Sequence, residues 1–402
     1  MNQYATAAED RIPFSQKLVY GSGAFVNNLL AAAIGSMVIV LNIGLGMNPA
    51  LVGLLGALPR LVDAFTDPLM GYVSDKTHSR WGRRRPYIFV GAIASGIIFA
   101  LLWQLPSGQS ESFYFWFFLI GSLFFFLAYT IFATPWVALG YELTPDYHER
   151  TRLMGTTFFI GSFAYIVAAW FLYIMQNGLH FNGMQLWIPD DIVDGAAGLA
   201  IMIGVFVVAV GVLPAIFLRE RQGTESNGDD AQREPAKSFG ESTADFFRGF
   251  ALTLRSKPFL MLCIATFFVF NGFMLVSSLQ NYTVIYYIFG GDTELATKFI
   301  GYEGTLRIVS SFAVIVFATW LSTRIGKRRA FFITIAISML GYAMKWFCYN
   351  PQYPWLMMLP APFLSFGLGS LFTLVPSMIA DVVDLDELKS HERREGMYGS
   401  IF

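Results

Sequence analysis

The sequence predicts an all-α membrane protein made of two six-helix bundles related by a parallel repeat, with the last two helices missing. Three observations predict it. The composition is too apolar for a chain dissolved in water, long hydrophobic segments alternate with short loops, and a pair of motifs recurs about 244 residues later.

Of 402 residues, 55% are hydrophobic and 14% are charged. Soluble domains carry roughly 25% charged residues, so lipid is the solvent that fits this chain. A net charge of −1 leaves no basic footprint for a nucleic-acid partner. The two cysteines, Cys263 and Cys348, lie in apolar segments and form no disulfide framework or metal pattern. The histidines (His78, His148, His180 and His391) all fall in loops. With no nucleophile or phosphate motif either, no enzyme chemistry, cofactor or resident metal is expected beyond a possible Na⁺. Residues 1–15 lack the parts of a signal peptide, so the first apolar segment is expected to be a retained signal-anchor helix.

A bilayer core about 30 Å thick takes about 20 apolar residues in helix, and unpaired backbone groups are not tolerated there. Ten segments qualify: 17–41, 51–73, 87–105, 113–141, 153–176, 196–218, 259–289, 298–322, 330–348 and 355–381. An eleventh begins near Gly396 and is cut at Phe402. All 27 Lys and Arg except Arg60, Lys298, Arg307 and Lys345 fall in the N-terminus and every second connection. That asymmetry puts the N-terminus in the cytoplasm. The opposite loops carry Glu111, Asp190, Asp191, Asp194, Asp292 and Glu294. The organisation expected is an N-terminal bundle 1–218, a polar cytoplasmic linker 219–258 and a C-terminal bundle 259–402. Residues 242–254 of the linker read as either a surface amphipathic helix or a solvated tether.

The halves repeat. Trp81-Gly82-Arg83-Arg84-Arg85 follows the second segment, and Ile325-Gly326-Lys327-Arg328-Arg329 follows the eighth, 244 residues on. His148-Glu149-Arg150 recurs as His391-Glu392-Arg393 at an offset of 243, and Pro135 recurs as Pro376 at 241. Six segments separate the halves, so both start from the same side, which makes the repeat parallel. By the same register a full second half would continue past Phe402, and a chain ending there is expected not to transport.

Ionisable residues inside a membrane are costly and are read first as functional. Asp63 and Asp67 stand four apart on the second segment, on one helix face. Two adjacent carboxylates either share a proton or recruit a cation, and Thr66 adds an oxygen. The bland alternative is an ion pair of Asp63 with Arg60 that braces the helix. Glu303 and Arg307 are also four apart, and Arg307 occupies the repeat position of Asp63 with opposite charge. They form either an intrahelical pair or an attraction between the halves. Lys345 is expected to snorkel to the outer surface. Solute contacts are expected from Asn27, Asn28, Gln280, Asn281 and Tyr282, with Trp136 and Tyr141 as stacking platforms. For the two aromatic residues, ordinary packing is the favoured alternative. The loop Arg83–Arg85 reads either as a topology anchor or as a cytoplasmic gate with Glu142, Asp146 and Arg150. Lys327–Arg329 would do the same with Asp381, Asp384, Asp386 and Glu387, the pairs forming in one state and breaking in the other.

The run from Asp63 through Asp67-Pro68 and Gly71 to Asp75, followed by Ser79-Arg80-Trp81-Gly82-Arg83-Arg84-Arg85-Pro86, resembles the glycoside–pentoside–hexuronide:cation symporters of the major facilitator superfamily. Gly21-Ser-Gly-Ala-Phe25 and the stretch from Ile379 to Gly396 fit the same family, and the resemblance spans the chain. It implies twelve helices in two bundles, alternating access, and uptake of a glycoside coupled to Na⁺, H⁺ or Li⁺. It also implies that Asp63 and Asp67 are the cation-site aspartates. Three family positions depart: a helix 4 aspartate is matched by Ala133, a helix 1 aspartate by Asn28 and a helix 5 arginine by Thr157. The departures point away from melibiose-like recognition and from Na⁺ toward H⁺. The expected protein is thus a sugar or glycoside symporter, monomeric, in a bacterial inner membrane. A lysolipid or other organic-solute carrier, or a non-transporting sensor, is the alternative.

Overall fold

The computed structural model describes residues 10–77, 79–106, 108–144, 146–181, 184–218, 220 and 256–390. The eleventh segment, the residues 242–254 and the motif at His391 lie outside them, as do the side chains of Asp384 and Glu387. The chain divides into two compact units, Met1–Gly223 and Thr224–Phe402.

The first unit contains α1 (Phe14–Met37), α2 (Ile39–Ile43), α3 (Pro49–Lys76), α4 (Arg85–Leu102), α5 (Glu111–Glu142), α6 (Tyr147–Ala168), α7 (Phe171–Asn177), α8 (Ile192–Gly211) and α9 (Leu213–Phe217). The second contains α10 (Lys257–Tyr282), α11 (Thr293–Ile325), α12 (Lys327–Cys348) and α13 (Ala361–Ser390). Among the described residues, nine helices are long and apolar enough to cross a membrane. Helix α3 adds a tenth of sufficient length, 28 residues, or about 42 Å at 1.5 Å per residue. The chain is therefore an integral, multi-pass membrane protein.

Many loop acids turn out to be helix caps. Asp191 accepts from the amides of Val193 and Asp194, both at 2.8 Å. Asp292 accepts from Leu295 N at 3.1 Å. These carboxylates satisfy amide groups that a helix start leaves unpaired.

One feature falls outside the all-α pattern. Between α7 and α8 a short hairpin pairs Leu179–Phe181 (β1) antiparallel with Met184–Trp187 (β2). Gly178 enters it at φ 76°, where a Cβ would strike the carbonyl of Trp187.

In the first unit α1 packs on α6, and α4 lies against both α5 and α8. A Cβ on Gly96 of α4 would sit 2.7 Å from the Gly204 carbonyl of α8. Small residues at that crossing bring the backbones together, the usual means of helix association in lipid. In the second unit α13 is central, packed on α10, α11 and α12 around Phe259, Phe331, Leu371, Leu374 and Val375. Pro135 and Pro376 both lie inside helices, α5 and α13. Large apolar side chains such as Met261, Phe268 and Val205 stand exposed, as a bilayer-solvated surface requires.

Candidate functional site

Helix α3 carries the charges and α5 supplies what faces them. Asp67 Oδ1 accepts hydrogen bonds from Thr130 Oγ1 at 2.7 Å and from Thr134 Oγ1 at 3.4 Å. The two threonines are one turn apart on α5, so one stripe of that helix meets one stripe of α3. Phe126, a turn before Thr130, lies 4.9 Å beneath the Arg60 guanidinium. This cation–π contact replaces the brace considered from sequence: no ion pair within 4 Å joins Arg60 to Asp63. Oδ1 of Asp63 and Oγ1 of Thr66 are buried without a hydrogen-bond partner among the described residues. A buried polar atom left in that state is costly.

The polar lining continues onto α1 and α6. Tyr129 donates to Asn27 Oδ1 at 2.8 Å, and Asn27 Nδ2 donates to Asn28 Oδ1 at 3.3 Å. Arg60, Asp63, Asp67 and Tyr165 all lie within electrostatic range of the Tyr129 hydroxyl. The two asparagines are thus tied by hydrogen bonds to Tyr129, the residue before Thr130.

The two aromatic residues do not join this lining. Trp136 is 5% exposed. Its ring stacks on Tyr20 with centroids 5.0 Å apart, and its Nε1 donates to the Tyr20 carbonyl at 3.2 Å. Gly23 makes room for the indole, and Phe132 stacks on it as well, with centroids 6.4 Å apart. It is a packing residue, since a stacking platform needs an open face. Tyr141 is exposed, two turns beyond Thr134 and beside the basic loop.

In the second unit the intrahelical alternative for Glu303 and Arg307 is not formed; no ion pair within 4 Å joins them. Glu303 is instead committed to α10, where Gln280 Nε2 donates to its Oε2 at 3.0 Å. Lys345 does not snorkel outward. Its Nζ donates to Gln280 Oε1 at 2.6 Å and lies over the rings of Tyr342 and Tyr349, at 5.4 and 5.3 Å. The long lysine stem is long enough to turn inward, where an amide oxygen and two π faces solvate its charge. Asn281 and Tyr282 follow Gln280 at half-buried positions, turned to other faces of α10.

At the basic-loop end of the first unit, Glu142 Oε1 lies 2.5 Å from Arg83 Nη2 and 2.9 Å from Arg84 Nη2. Asp146 caps α6 by accepting from Glu149 N at 2.7 Å, and Arg150 donates to the Thr144 carbonyl at 3.1 Å. The second unit repeats the theme, with Lys327 Nζ 2.6 Å from Asp381 Oδ1.

Sequence reasoning missed Glu220, which it assigned to the linker. The Glu220 carboxylate accepts the backbone amides of Arg83 at 2.6 Å, Arg84 at 2.8 Å and Arg85 at 2.9 Å. It therefore closes the N-terminus of α4. Arg85 returns the grip by donating to the carbonyls of Ala215 and Ile216. Thr130, Thr134 and Tyr129 were missed too. Their only signal was hydroxyls four apart in an otherwise apolar segment.

Residues 19–402 match the model of a family described as MFS/sugar transport protein. The chain is 25% identical to an uncharacterized symporter, sll1374, of Synechocystis sp., covering 97% of this chain and 82% of that one. It is 24% identical to the isoprimeverose transporter of Lactiplantibacillus pentosus, covering 98% and 77%. The crystal structure of a nucleoside transporter superposes with a TM-score of 0.66 at 14% identity, over 96% of this chain and 87% of that one, and supports the fold alone. The symporter resemblance read from the second segment and its basic loop stands, and the family is one of transporters and not of enzymes. With nearly its whole length matched, this chain belongs to the MFS/sugar transport protein family.

Proposed function

We propose that this protein is a secondary active transporter that carries a sugar or glycoside together with H⁺ or Na⁺ by alternating access. The observation that carries the reading is the state of α3. Among the described residues, Asp63 Oδ1 and Thr66 Oγ1 are buried without a hydrogen-bond partner, and Asp67, one turn after Asp63, is held by Thr130. Hard oxygens in this arrangement suit a small cation, whether bound as Na⁺ or as a proton on one of two repelling carboxylates. Asn27 and Asn28, tied to Tyr129 beside Thr130, are polar enough to meet a solute hydroxyl. The relative named for isoprimeverose supports a glycoside as the solute.

Movement then requires contacts that form in one state only. Arg83 and Arg84 with Glu142, and Lys327 with Asp381, serve as the cytoplasmic gate, with Asp146 and Arg150 next to the first of these pairs in the chain. The bias of basic residues to alternate loops supports a cytoplasmic side for that gate and the N-terminus, and the membrane in this reading is a bacterial inner membrane. A monomer with bundles 1–218 and 259–402 about the linker 219–258 is the unit of transport.

The test is uptake of labelled glycosides into proteoliposomes by a full-length form, under separate Na⁺ and H⁺ gradients, with Asp63→Asn alongside. Accumulation driven by one gradient and abolished by the substitution is expected. Accumulation that survives Asp63→Asn moves the cation elsewhere. Absence of any glycoside flux from folded protein overturns the sugar reading in favour of an amphipathic solute or a sensor.

A further inference from the structure

The second unit carries a cation that no described residue pairs with. Arg307 lies near the middle of α11, about 21 Å along the axis from Thr293 and about 27 Å from Ile325 at 1.5 Å per residue. Neither end of the helix is within reach of its side chain, so snorkelling does not solvate it. The hydrogen bond at this residue is on its backbone, where Ser365 of α13 donates to the carbonyl at 2.7 Å. Among the described residues its guanidinium has no ion pair, hydrogen bond or ring contact. The residue is half-buried, and none of its nitrogens is sealed from the surface. A charge left in that state at that depth in a membrane is unfavourable, and this one is open to a ligand.

The charges around it do not balance. Glu303, one turn before Arg307, accepts from Gln280 Nε2 at 3.0 Å, and Lys345 of α12 donates to Oε1 of the same amide at 2.6 Å. One neutral amide thus links one acid and one base, which offset each other across it. Arg307 is the charge left over. Tyr342, Lys345 and Tyr349 all lie within its electrostatic range, which places it on the α12 side of α11. Two cations and one acid leave this neighbourhood with a surplus of a single positive charge among the described residues.

The uncharged and unused groups indicate the kind of anion that fits. The Tyr349 hydroxyl and Glu303 Oε1 are buried without a hydrogen-bond partner among the described residues, and Tyr349 is within electrostatic range of Glu303 as well as Arg307. Beside the cation there is therefore a hydroxyl to donate to an oxyanion and a carboxylate oxygen to accept from a solute hydroxyl. A guanidinium matches a carboxylate through two parallel N–H···O bonds. A phosphate monoester carries about 1.5 to 2 negative charges at pH 7, more than the surplus offsets.

We propose that Arg307 is a carboxylate-binding residue of the second unit, and that the solute it selects is a hydroxylated monocarboxylate. The inference deepens the sugar-carrier reading and rests on it for transport; binding is a separate matter.

The experiment measures binding to a full-length form in detergent by calorimetry, with three matched probes: phenyl glucuronide, its methyl ester and phenyl glucoside. The first has a carboxylate where the others have a neutral ester or a hydroxymethyl group. The glucuronide is expected to bind at least about tenfold more tightly than either. Arg307→Gln should erase that difference by weakening the acid. Arg307→Lys should restore part of it, since lysine keeps the charge without the planar fork. A wild type that binds the three probes alike, or binds none of them, overturns the proposal. So does a preference for the acid that survives in folded Arg307→Gln, or an equal loss for all three probes, which would make the charge structural. Tighter binding of glucose 6-phosphate than of glucuronate would overturn the choice of a monocarboxylate. Uptake into proteoliposomes tests the carrier reading separately: a protein that binds the acid through Arg307 but moves none of it fails that reading and passes this one.

Discussion

Thr130 Oγ1 of α5 stands 2.7 Å from Oδ1 of Asp67 on α3. A hydroxyl donor fixes which way the carboxylate faces and leaves its second oxygen available. Thr130→Val keeps the side-chain shape and removes the donor. A hydrogen bond to a charged group contributes about 1.5–3 kcal/mol, and each 1.4 kcal/mol is about tenfold in affinity. The cation concentration for half-maximal uptake is expected to rise about tenfold in Thr130→Val, and the thermal midpoint to fall with the lost hydrogen bond. An unchanged cation dependence would show that Asp67 is not a ligand.

Glu220 and Gly82 form one device. Gly82 has φ 106°, and a Cβ there would come within 2.6 Å of the Glu220 carboxylate. Glu220→Gln keeps one acceptor and loses the charge at the start of α4, where a helix favours an anion. A loss of about 1–2 kcal/mol is expected, read as a lower unfolding midpoint in detergent. Gly82→Ala should cost more, since it strains the backbone and also expels the carboxylate. Limited proteolysis should cut residues 77–84 faster in both variants. Equal cleavage in the wild type and both variants would rule the clamp out.

Trp136 tests packing against recognition. Phe/Trp→Ala changes in cores cost about 3–5 kcal/mol, and Trp136→Ala is expected in that range. Trp136→Phe fills most of the volume, so it should keep the glycoside preference of the wild type in competition uptake assays. Gly23→Ala, which would drive a methyl into the indole, should destabilise as Trp136→Ala does. A change of solute preference in Trp136→Phe without loss of stability would restore the stacking role.

These cases show where sequence legibility ends. Segment length and apolarity gave the spanning helices because the bilayer imposes them from outside. The position of Asp63 and Asp67 was legible because charge in such a segment is rare. Their partners were not, since Thr130 and Thr134 look like any hydroxyls that bond back to their own helix. Glu220 was hidden for a different reason: it lies 135–137 residues from the amides it binds, and nothing local marks it. Lys345 was misjudged because reach alone does not decide direction; Gln280 on another helix does.

Glu149 gives the pH dependence. It sits 2% exposed at the basic-loop end, before the apolar span that begins at Arg152. Lys17 Nζ is 2.6 Å away, Ile12 N donates to Oε1 at 3.1 Å, and Arg152 lies 3.3 Å from Oε2. Burial by itself pushes the carboxyl up, but the Lys17 bond and charge, the Ile12 amide and Arg152 outweigh it. The net result lies below the ordinary value of 4.5. A folded value below the unfolded one means that the unfolded chain binds the proton more readily. The stabilisation is therefore complete above the unfolded value and is lost as pH falls through the lowered one. Removing the cation in Lys17→Met takes away both the bond and the charge of Lys17 that lower the carboxyl, so the loss should begin at higher pH than in the wild type. Glu149→Gln should lack this dependence altogether. Thermal midpoints in detergent from pH 7 downward, for all three proteins, check it. Parallel curves for the wild type and Lys17→Met would mean that Lys17 does not hold the carboxylate in its charged form.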